Sequence, residues 1–299
     1  MDICHVAGET MDVTTACIAG EEIYRQLDEG RIAGRQMGSR KTPFGHSNEL
    51  YLVQGEQAAF YLLPRHAAGI AKATGWKINH RANMYALKDL GVRHVLGFAP
   101  GGAISHNLTV GDMIVVDDLV DQTYLRAKTF FEDSPLGFLR QFPVFCPDLR
   151  RKLLDVLSAR RLPVRETGTL AVVEGPRLET PAEVRMLAAV GAEMVSHSVV
   201  PEVFLAKELE MCYAAVCYVV NFAETGSRHR PFGTPELFQG LTRRGDNHRL
   251  TASVTAMSAI VADVAALASS AQRSCECDKT MSHNKAQYNL PVDWHDWFA

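Results

Sequence analysis

The chain has 299 residues, 47% of them hydrophobic and 22% charged, with a formal net charge of −3. This is the balance of a soluble protein with one large core, and the charge is spread along the sequence, which excludes the electrostatic footprint of a nucleic-acid or membrane-surface binder and leaves small-molecule chemistry as the expectation. No uninterrupted apolar run approaches the ~20 residues of a membrane helix, and Met1-Asp2-Ile3-Cys4-His5 lacks the basic-then-apolar pattern of an export signal, so the expectation is a cytoplasmic protein without a membrane partner.

Segments of strand and helix character alternate for most of the length, which argues for an α/β fold. The expected division is one domain over residues 1–268 and a C-terminal tail over 269–299. Strand candidates are Leu50 to Leu52, Ala59 to Leu63, His94 to Ala99, Met113 to Val116, Thr169 to Val173 and Cys212 to Asn221. Several are near-continuous apolar runs, the pattern of strands buried on both faces. Ile78 to Leu90 and Pro147 to Ala159 carry apolar residues at helical spacing.

Thr180-Pro181-Ala182-Glu183 predicts a helix start, because threonine caps free N–H groups, proline suits the first helical position and Glu183 can close a capping box. Gly191 ends that helix. Pro201-Glu202 opens another. Thr234-Pro235-Glu236 begins the last, which runs with a break near Gly245-Asp246-Asn247 to about Ala268. Beyond Ser269 the polar stretch has no period and is expected to be partly mobile, although the closing Trp294-His295-Asp296-Trp297-Phe298 is aromatic enough to dock.

Seven scattered cysteines read as buried reduced thiols rather than a disulfide framework. Cys275-Glu276-Cys277 is the one suggestive spacing. Two thiolates cannot close a tetrahedral zinc site, and His283 is the only nearby ligand, so the two cysteines read as tail residues with no metal.

Glu174-Gly175-Pro176-Arg177-Leu178-Glu179-Thr180-Pro181-Ala182-Glu183, followed after a helix by Val200-Pro201-Glu202-Val203, resembles the signature of the trimeric purine nucleoside phosphorylases. Thr42-Pro43-Phe44-Gly45, Pro64-Arg65-His66, Ile78-Asn79-His80-Arg81-Ala82-Asn83 and Val110-Gly111-Asp112-Met113-Ile114 match in order and look most like the methylthioadenosine phosphorylase branch. The resemblance implies a phosphorylase/hydrolase-like single domain with a mixed central β-sheet flanked by helices. It also implies a homotrimer and no metal or organic cofactor. Inorganic phosphate would be the co-substrate, attacking C1′ of a purine nucleoside to release the base and a pentose 1-phosphate.

Such a site must hold a phosphate dianion and stabilise a leaving base, so positioning and electrostatics dominate. By resemblance, Arg65, His66 and Ser198 bind phosphate; the bland alternative is that Arg65 pairs with a nearby carboxylate and His66 fills a loop. Glu179 matches a contact to the purine edge, and Asn221 matches the catalytic residue that holds N7 as charge develops. Asn221 with Ala223 two residues on resembles members that prefer 6-oxopurines. Pro235, with Phe238 one turn later, stands where a histidine would hold a 5′-hydroxyl, and an apolar pocket there favours a 5′-methylthio group. Phe98 and Ala99 complete the expected substrate-binding set.

The chain also departs from the family. Val6-Ala7-Gly8-Glu9-Thr10 is aligned with the family's glycine-rich phosphate turn, which puts Glu9 where a hydroxyl belongs, with Thr10 as its replacement if the turn shifts. Pro100 removes an N–H where the family donates one to phosphate. His197 replaces a methionine beneath the ribose and either hydrogen-bonds a hydroxyl or crowds the sugar. The histidine that relatives send into a neighbour's 5′ pocket is missing around Phe138 to Phe145, where aromatics can form a wall instead. Two readings follow: a phosphorylase of 5′-methylthio or 5′-deoxy purine nucleosides, or a ligand-binding relative that keeps the aromatic pocket with impaired phosphorolysis. A nucleosidase is a further alternative on the same scaffold.

Overall fold

Strands with an apolar side chain at every position can be satisfied only by a core on each face, and this constraint organises the molecule. A computed structural model describes residues 5–6, 9–10, 12–66, 75–225, 241–242, 246–270 and 272–298. In chain order the first half contains β1 (His5–Val6), β2 (Glu9–Thr10), β3 (Thr15–Ala19), α1 (Glu21–Asp28), β4 (Gly34–Gly38), β5 (Lys41–Thr42), β6 (Gly45–His46), β7 (Leu50–Gln54), β8 (Ala59–Pro64), α2 (His80–Asp89), β9 (His94–Ala103), β10 (Met113–Val115) and β11 (Asp118–Gln122). The second half adds α3 (Pro147–Ala159), β12 (Val164–Arg165), β13 (Thr169–Val173), α4 (Pro181–Ala189), β14 (Met194–Ser196), α5 (Glu202–Glu208), β15 (Cys212–Phe222), α6 (Asp246–Thr255), α7 (Met257–Ser270) and α8 (Ser282–Tyr288).

Eleven strands form one mixed sheet in which β11-β13-β14-β9-β3-β8-β7-β4 run side by side, while β15 pairs with the other edge of β9 and carries β10 and β12. The strand expectations are met closely: β7, β8, β9, β10, β13 and β15 lie where the apolar runs were. Along β15, Tyr213, Ala215, Cys217 and Val219 face one core with α2 and α5, while Cys212, Ala214, Val216 and Tyr218 face a second core with α3 and α7. The two-residue period therefore feeds both cores from one uninterrupted run. The expected mixed sheet flanked by helices is what the chain forms.

Helix α4 begins with the expected capping box, Thr180 and Glu183 each bonding the other's backbone, and Gly191 follows it at φ 87°. The segment from Thr234 that was expected to open the last helix lies outside the described residues. The later part runs as α6 and α7 to Ser270, two residues past the expected end. His248–Ser270 is long and apolar enough by composition to cross a membrane. Here Met257, Ile260, Val261 and Val264 are buried in the second core, against α3 and the sheet, so the stretch is a core element.

The closing aromatics dock, as their composition allowed, and the reading of the tail cysteines is corrected. The tail does not hang free: Phe298 stacks on Phe131 at 5.4 Å and packs against Phe44, Tyr85 and Phe130, Trp297 is buried, and Asn284 Nδ2 donates to Leu136 O at 2.7 Å. Its few apolar residues are anchors to distant surfaces, and anchors need no period. Nor do Cys275 and Cys277 stand alone, because Cys146 and Cys212 are folded against them, whereas His283 is exposed and outside the group. Those partners come from α3 and β15, too far away in sequence for any spacing rule to find.

Candidate active site

A cavity of about 700 Å³ opens where several strands end. His66 reaches it just beyond β8, Pro100, Gly101 and Gly102 from the C-terminal part of β9, and Glu174, Pro176, Leu178 and Glu179 from the loop between β13 and α4. Ser196, His197 and Ser198 come from the end of β14, and Asn221 and Ala223 from the end of β15. His66, Glu179, His197, Ser198, Asn221 and Ala223 are therefore brought together as expected, from segments up to 157 positions apart in sequence.

Asn221 reaches the cavity through a β-bulge. The pairing of β15 with β9 slips between Val219 and Asn221, so one residue is added to the strand. Tyr218 and Val220 already face the cavity, and the slip turns Asn221 and Ala223 toward it as well. The Asn221 amide is fixed by Nδ2 donating to Phe222 O at 2.7 Å. Its second N–H and its carbonyl are the groups an amide has to offer a ligand.

Glu179 and His197 meet across the cavity wall, Oε1 to Nε2 at 3.2 Å. His197 lines the cavity and, through this bond, orients the Glu179 carboxylate, a pairing the sequence reading did not give it. A Cβ on Gly175, at φ 66°, would lie 2.6 Å from His197 Nδ1, so the position is closed to other residues.

The feature that sequence reasoning missed is Arg126. Its side chain is wholly buried and donates to Glu174 Oε1 (2.8 Å), Val173 O (3.2 Å), Glu174 O (3.1 Å), His197 O (2.9 Å) and Val200 O (2.6 Å). It stitches the loop bearing Glu179 to the loop bearing Ser198. Between two of these bonds sits Val199, a buried β-branched residue at φ 82°, a conformation costing about 1–3 kcal/mol that the surrounding bonds impose. Nothing local in Tyr124-Leu125-Arg126-Ala127-Lys128 marks the arginine out.

Several assignments are corrected. Arg65 is 1% exposed and does not line the cavity: Nε and Nη2 grip Glu202 at 2.5 and 3.1 Å, and Nη1 donates to Phe98 O at 3.0 Å. The bland alternative, an ion pair, is the one realised. Glu202 also accepts from Tyr213 Oη at 2.7 Å. Phe98 and Ala99 are buried in β9 and do not line the cavity; Pro100 to Gly102 take that place.

The turn assigned to Val6–Thr10 is also displaced. β1 and β2 pair only with each other, Val6 opposite Glu9 and His5 opposite Thr10, and the strand entering the sheet is β3. The turn after β3, Gly20-Glu21-Glu22, borders the cavity and starts α1, whose N-cap Gly20 provides no side-chain cap. The N-terminal amides of a helix favour an anion, while the carboxylates of Glu21 and Glu22 oppose one. The side chain of Thr10 and the whole of Pro235 and Phe238 lie outside the described residues.

Pro100 sits in a gap. β9 pairs with β3 as far as Gly97 and with β14 from Gly102, so residues 98–101 have no strand on that side among the described residues. The carbonyls of Phe98 and Pro100 point into the gap, accepting from Arg65 and from Ser196 Oγ (2.7 Å). The N–H that proline lacks would have pointed the same way. A central strand tolerates proline here because no ladder bond is lost.

A family model described as the phosphorylase superfamily matches residues 41–245. A probable S-methyl-5′-thioinosine phosphorylase from Methanothermobacter thermautotrophicus is 36% identical over 208 residues, covering 69% of this chain and 70% of that one. A probable 6-oxopurine nucleoside phosphorylase from Dictyoglomus turgidum is 37% identical over 205 residues, 68% of this chain and 76% of its own. Among solved structures, a point mutant of adenosine/methylthioadenosine phosphorylase from Schistosoma mansoni, in complex with methylthioadenosine, superposes with a TM-score of 0.74 at 26% identity, covering 92% of this chain and 96% of that one.

Two predictions follow from the buried charges. Arg65→Met strands the Glu202 carboxylate and is expected to cost about 3–5 kcal/mol in denaturant unfolding, most of it recovered in Arg65→Met/Glu202→Leu; unchanged stability with weaker phosphate use would restore Arg65 to the site. Burial pushes the His80 imidazole down to about 4, against the pull of Glu202. Its folded-state value lies below the unfolded one, so the unfolded chain binds more protons between pH 6.5 and 4, and stability is lost as pH falls through that window, by up to about 3 kcal/mol. Glu208, pushed up to about 7 by burial, contributes the opposite slope from about pH 4.5 to 7. The decisive measurement is therefore the difference between parent and His80→Gln, which should lose the His80 component.

Proposed function

The chain belongs to the phosphorylase superfamily, and from that premise we propose that it is a purine nucleoside phosphorylase acting on a 5′-methylthio purine nucleoside, with a 6-oxopurine as the preferred base. The observation that carries this reading is the convergence of Glu179, His197, Ser198 and Asn221 on one cavity, from three segments, two of which the buried Arg126 ties together. Glu179, steadied by His197, takes the N–H edge of the purine. The Asn221 amide donates to N7 as the glycosidic bond breaks and charge moves onto the base. Ala223 puts no carboxylate two residues beyond Asn221 to accept from a 6-amino group, and the relatives named for thioinosine and 6-oxopurine substrates support the same preference.

Phosphate belongs at the other end, against the first turn of α1 with His66 and Ser198. One of its oxygens attacks C1′, the C1′–N9 bond breaks, and the electron pair leaves with the base. The fit there is poorer: Arg65 is spent on Glu202, Pro100 offers no amide, and Glu21 and Glu22 carry the wrong sign. These features favour a second reading, in which nucleoside binding survives and phosphorolysis is slow. Methylthioinosine, methylthioadenosine and inosine, each with and without phosphate, separate the two. The expected result is phosphate-dependent release of hypoxanthine from methylthioinosine, unsaturated at about 1 mM phosphate, with Asn221→Ala about 10²–10³-fold slower. Equal release without phosphate would indicate a nucleosidase, and binding without release would establish the second reading.

The same reading makes the protein a homotrimer of the cytoplasm serving purine salvage. Phe138 and Phe142 are 90% and 87% exposed in the single chain, a pair of aromatics that a neighbouring subunit would cover. Buried thiols at Cys17 and Cys217 suit a reducing compartment, which cell fractionation checks. Sedimentation should give three times the chain mass, and Phe142→Ser should shift it toward the monomer; a monomeric parent would overturn the assembly.

A further inference from the structure

The four cysteines gathered at the far end of the second core have no part in the reaction described above. Cys146 is the N-cap of α3, Cys212 is the first residue of β15, and Cys275 and Cys277 follow α7 in the tail. Their sulfurs all lie within 4.8 Å of one another, with Cys212 and Cys275 at 3.5 Å. Four sulfurs bound at about 2.3 Å to one tetrahedral ion are separated by about 3.8 Å, so the group needs only a slight contraction to close. Two disulfides would instead draw the sulfurs together in pairs.

We infer that Cys146, Cys212, Cys275 and Cys277 hold a zinc ion as four thiolates, and that this site fastens the tail to the body of the protein. Thiolate donors in a tetrahedral set select zinc over harder cations, and a site with all four positions filled by protein is structural, with none left for substrate. The surroundings are built for it. Cys146 N donates to Tyr213 O at 2.9 Å, which locks the first two ligands together on rigid elements. The Leu149 N–H points at Cys146 Sγ at 3.4 Å, the kind of outer bond that steadies a metal-bound thiolate. On the tail side, Ser274 Oγ donates to Asp148 Oδ1 at 2.7 Å and Thr280 Oγ1 to Lys207 O at 2.6 Å, so Cys275 and Cys277 are presented between two fixed points. The ion with four thiolates carries a net charge of −2, and Arg273 lies within electrostatic reach of Cys212, Cys275 and Cys277.

The test begins with metal analysis of the parent protein purified without chelator, where about one zinc per chain is expected. Titration with a mercurial should release it in step with thiol modification. Cys275→Ser/Cys277→Ser should lose the metal, melt about 5–10 °C lower and be clipped rapidly near residue 271, whereas Cys217→Ala should keep it. Because the double variant is destabilised for any reason that loosens the tail, the parent is also stripped by chelator and reloaded with zinc alone, which should restore its melting temperature. A parent whose intact mass is short by four hydrogens, recovered on reduction, carries two disulfides and overturns the assignment. Four free thiols with no zinc and no response to added zinc overturn it equally.

Discussion

One guanidinium does most to define the site without facing it. Arg126 spends its hydrogen-bonding capacity on four carbonyls and one carboxylate, and these belong to the two loops that carry Glu179 and Ser198. Burial of Val199 and Val200 anchors one of these loops in the first core but does not by itself set their shape. That shape comes from a buried cation that leaves their carbonyls no better partner than itself. The forced backbone of Val199 is the mark of that control. Arg65 does the same on the opposite side, joining β3, β9 and α5 through Ile18, Phe98 and Glu202. A Cβ on Gly97 would lie 2.2 Å from the Tyr213 oxygen that completes this second network, so even a glycine in the middle of β9 is held in place by it.

What could be read from the sequence was whatever had a local cause. The strands of the two cores showed because they are near-continuous apolar runs, and α4 showed because a capping box is written in four consecutive residues. Glu179, His197, Ser198 and Asn221 were found because each lies in or beside a motif. The failures share a cause too. Thr15-Ala16-Cys17-Ile18-Ala19 is short and built of small residues, so β3 went unnoticed and the turn facing the cavity was sought at Glu9 and Thr10 instead of at Gly20. Arg65 was placed correctly in the chain and wrongly in its role, because a motif does not say which way a guanidinium turns when a buried carboxylate is available on one side. Arg126 has no signature, and the four-cysteine group shows only its Cys275-Glu276-Cys277 half, since the remaining partners are supplied by tertiary structure alone.

The two halves of the cavity differ in how they are made. In the proposed reading the base meets side chains fixed by other side chains or by backbone: Glu179 by His197, and Asn221 by Phe222. In the same reading phosphate meets the first turn of α1 with His66 and Ser198, beside a stretch of β9 that pairs on one edge. In that reading the two ends share no side chain, so a proline can enter β9 without disturbing the purine contacts.

The bulge in β15 turns a question of chemistry into one of parity. Up to Val219, odd-numbered residues face the first core and even-numbered ones the second; past the slip, odd positions 221 and 223 have changed sides. The strand can thus be apolar and doubly buried for most of its length and still deliver a polar amide to a cavity at its end, with no loop and no loss of rigidity. Removing one residue at Val220 would leave every side chain in the chain intact except one, yet point the amide into hydrocarbon and a hydrophobic residue at the ligand. Asn221 owes its place to a count of residues as much as to its own identity.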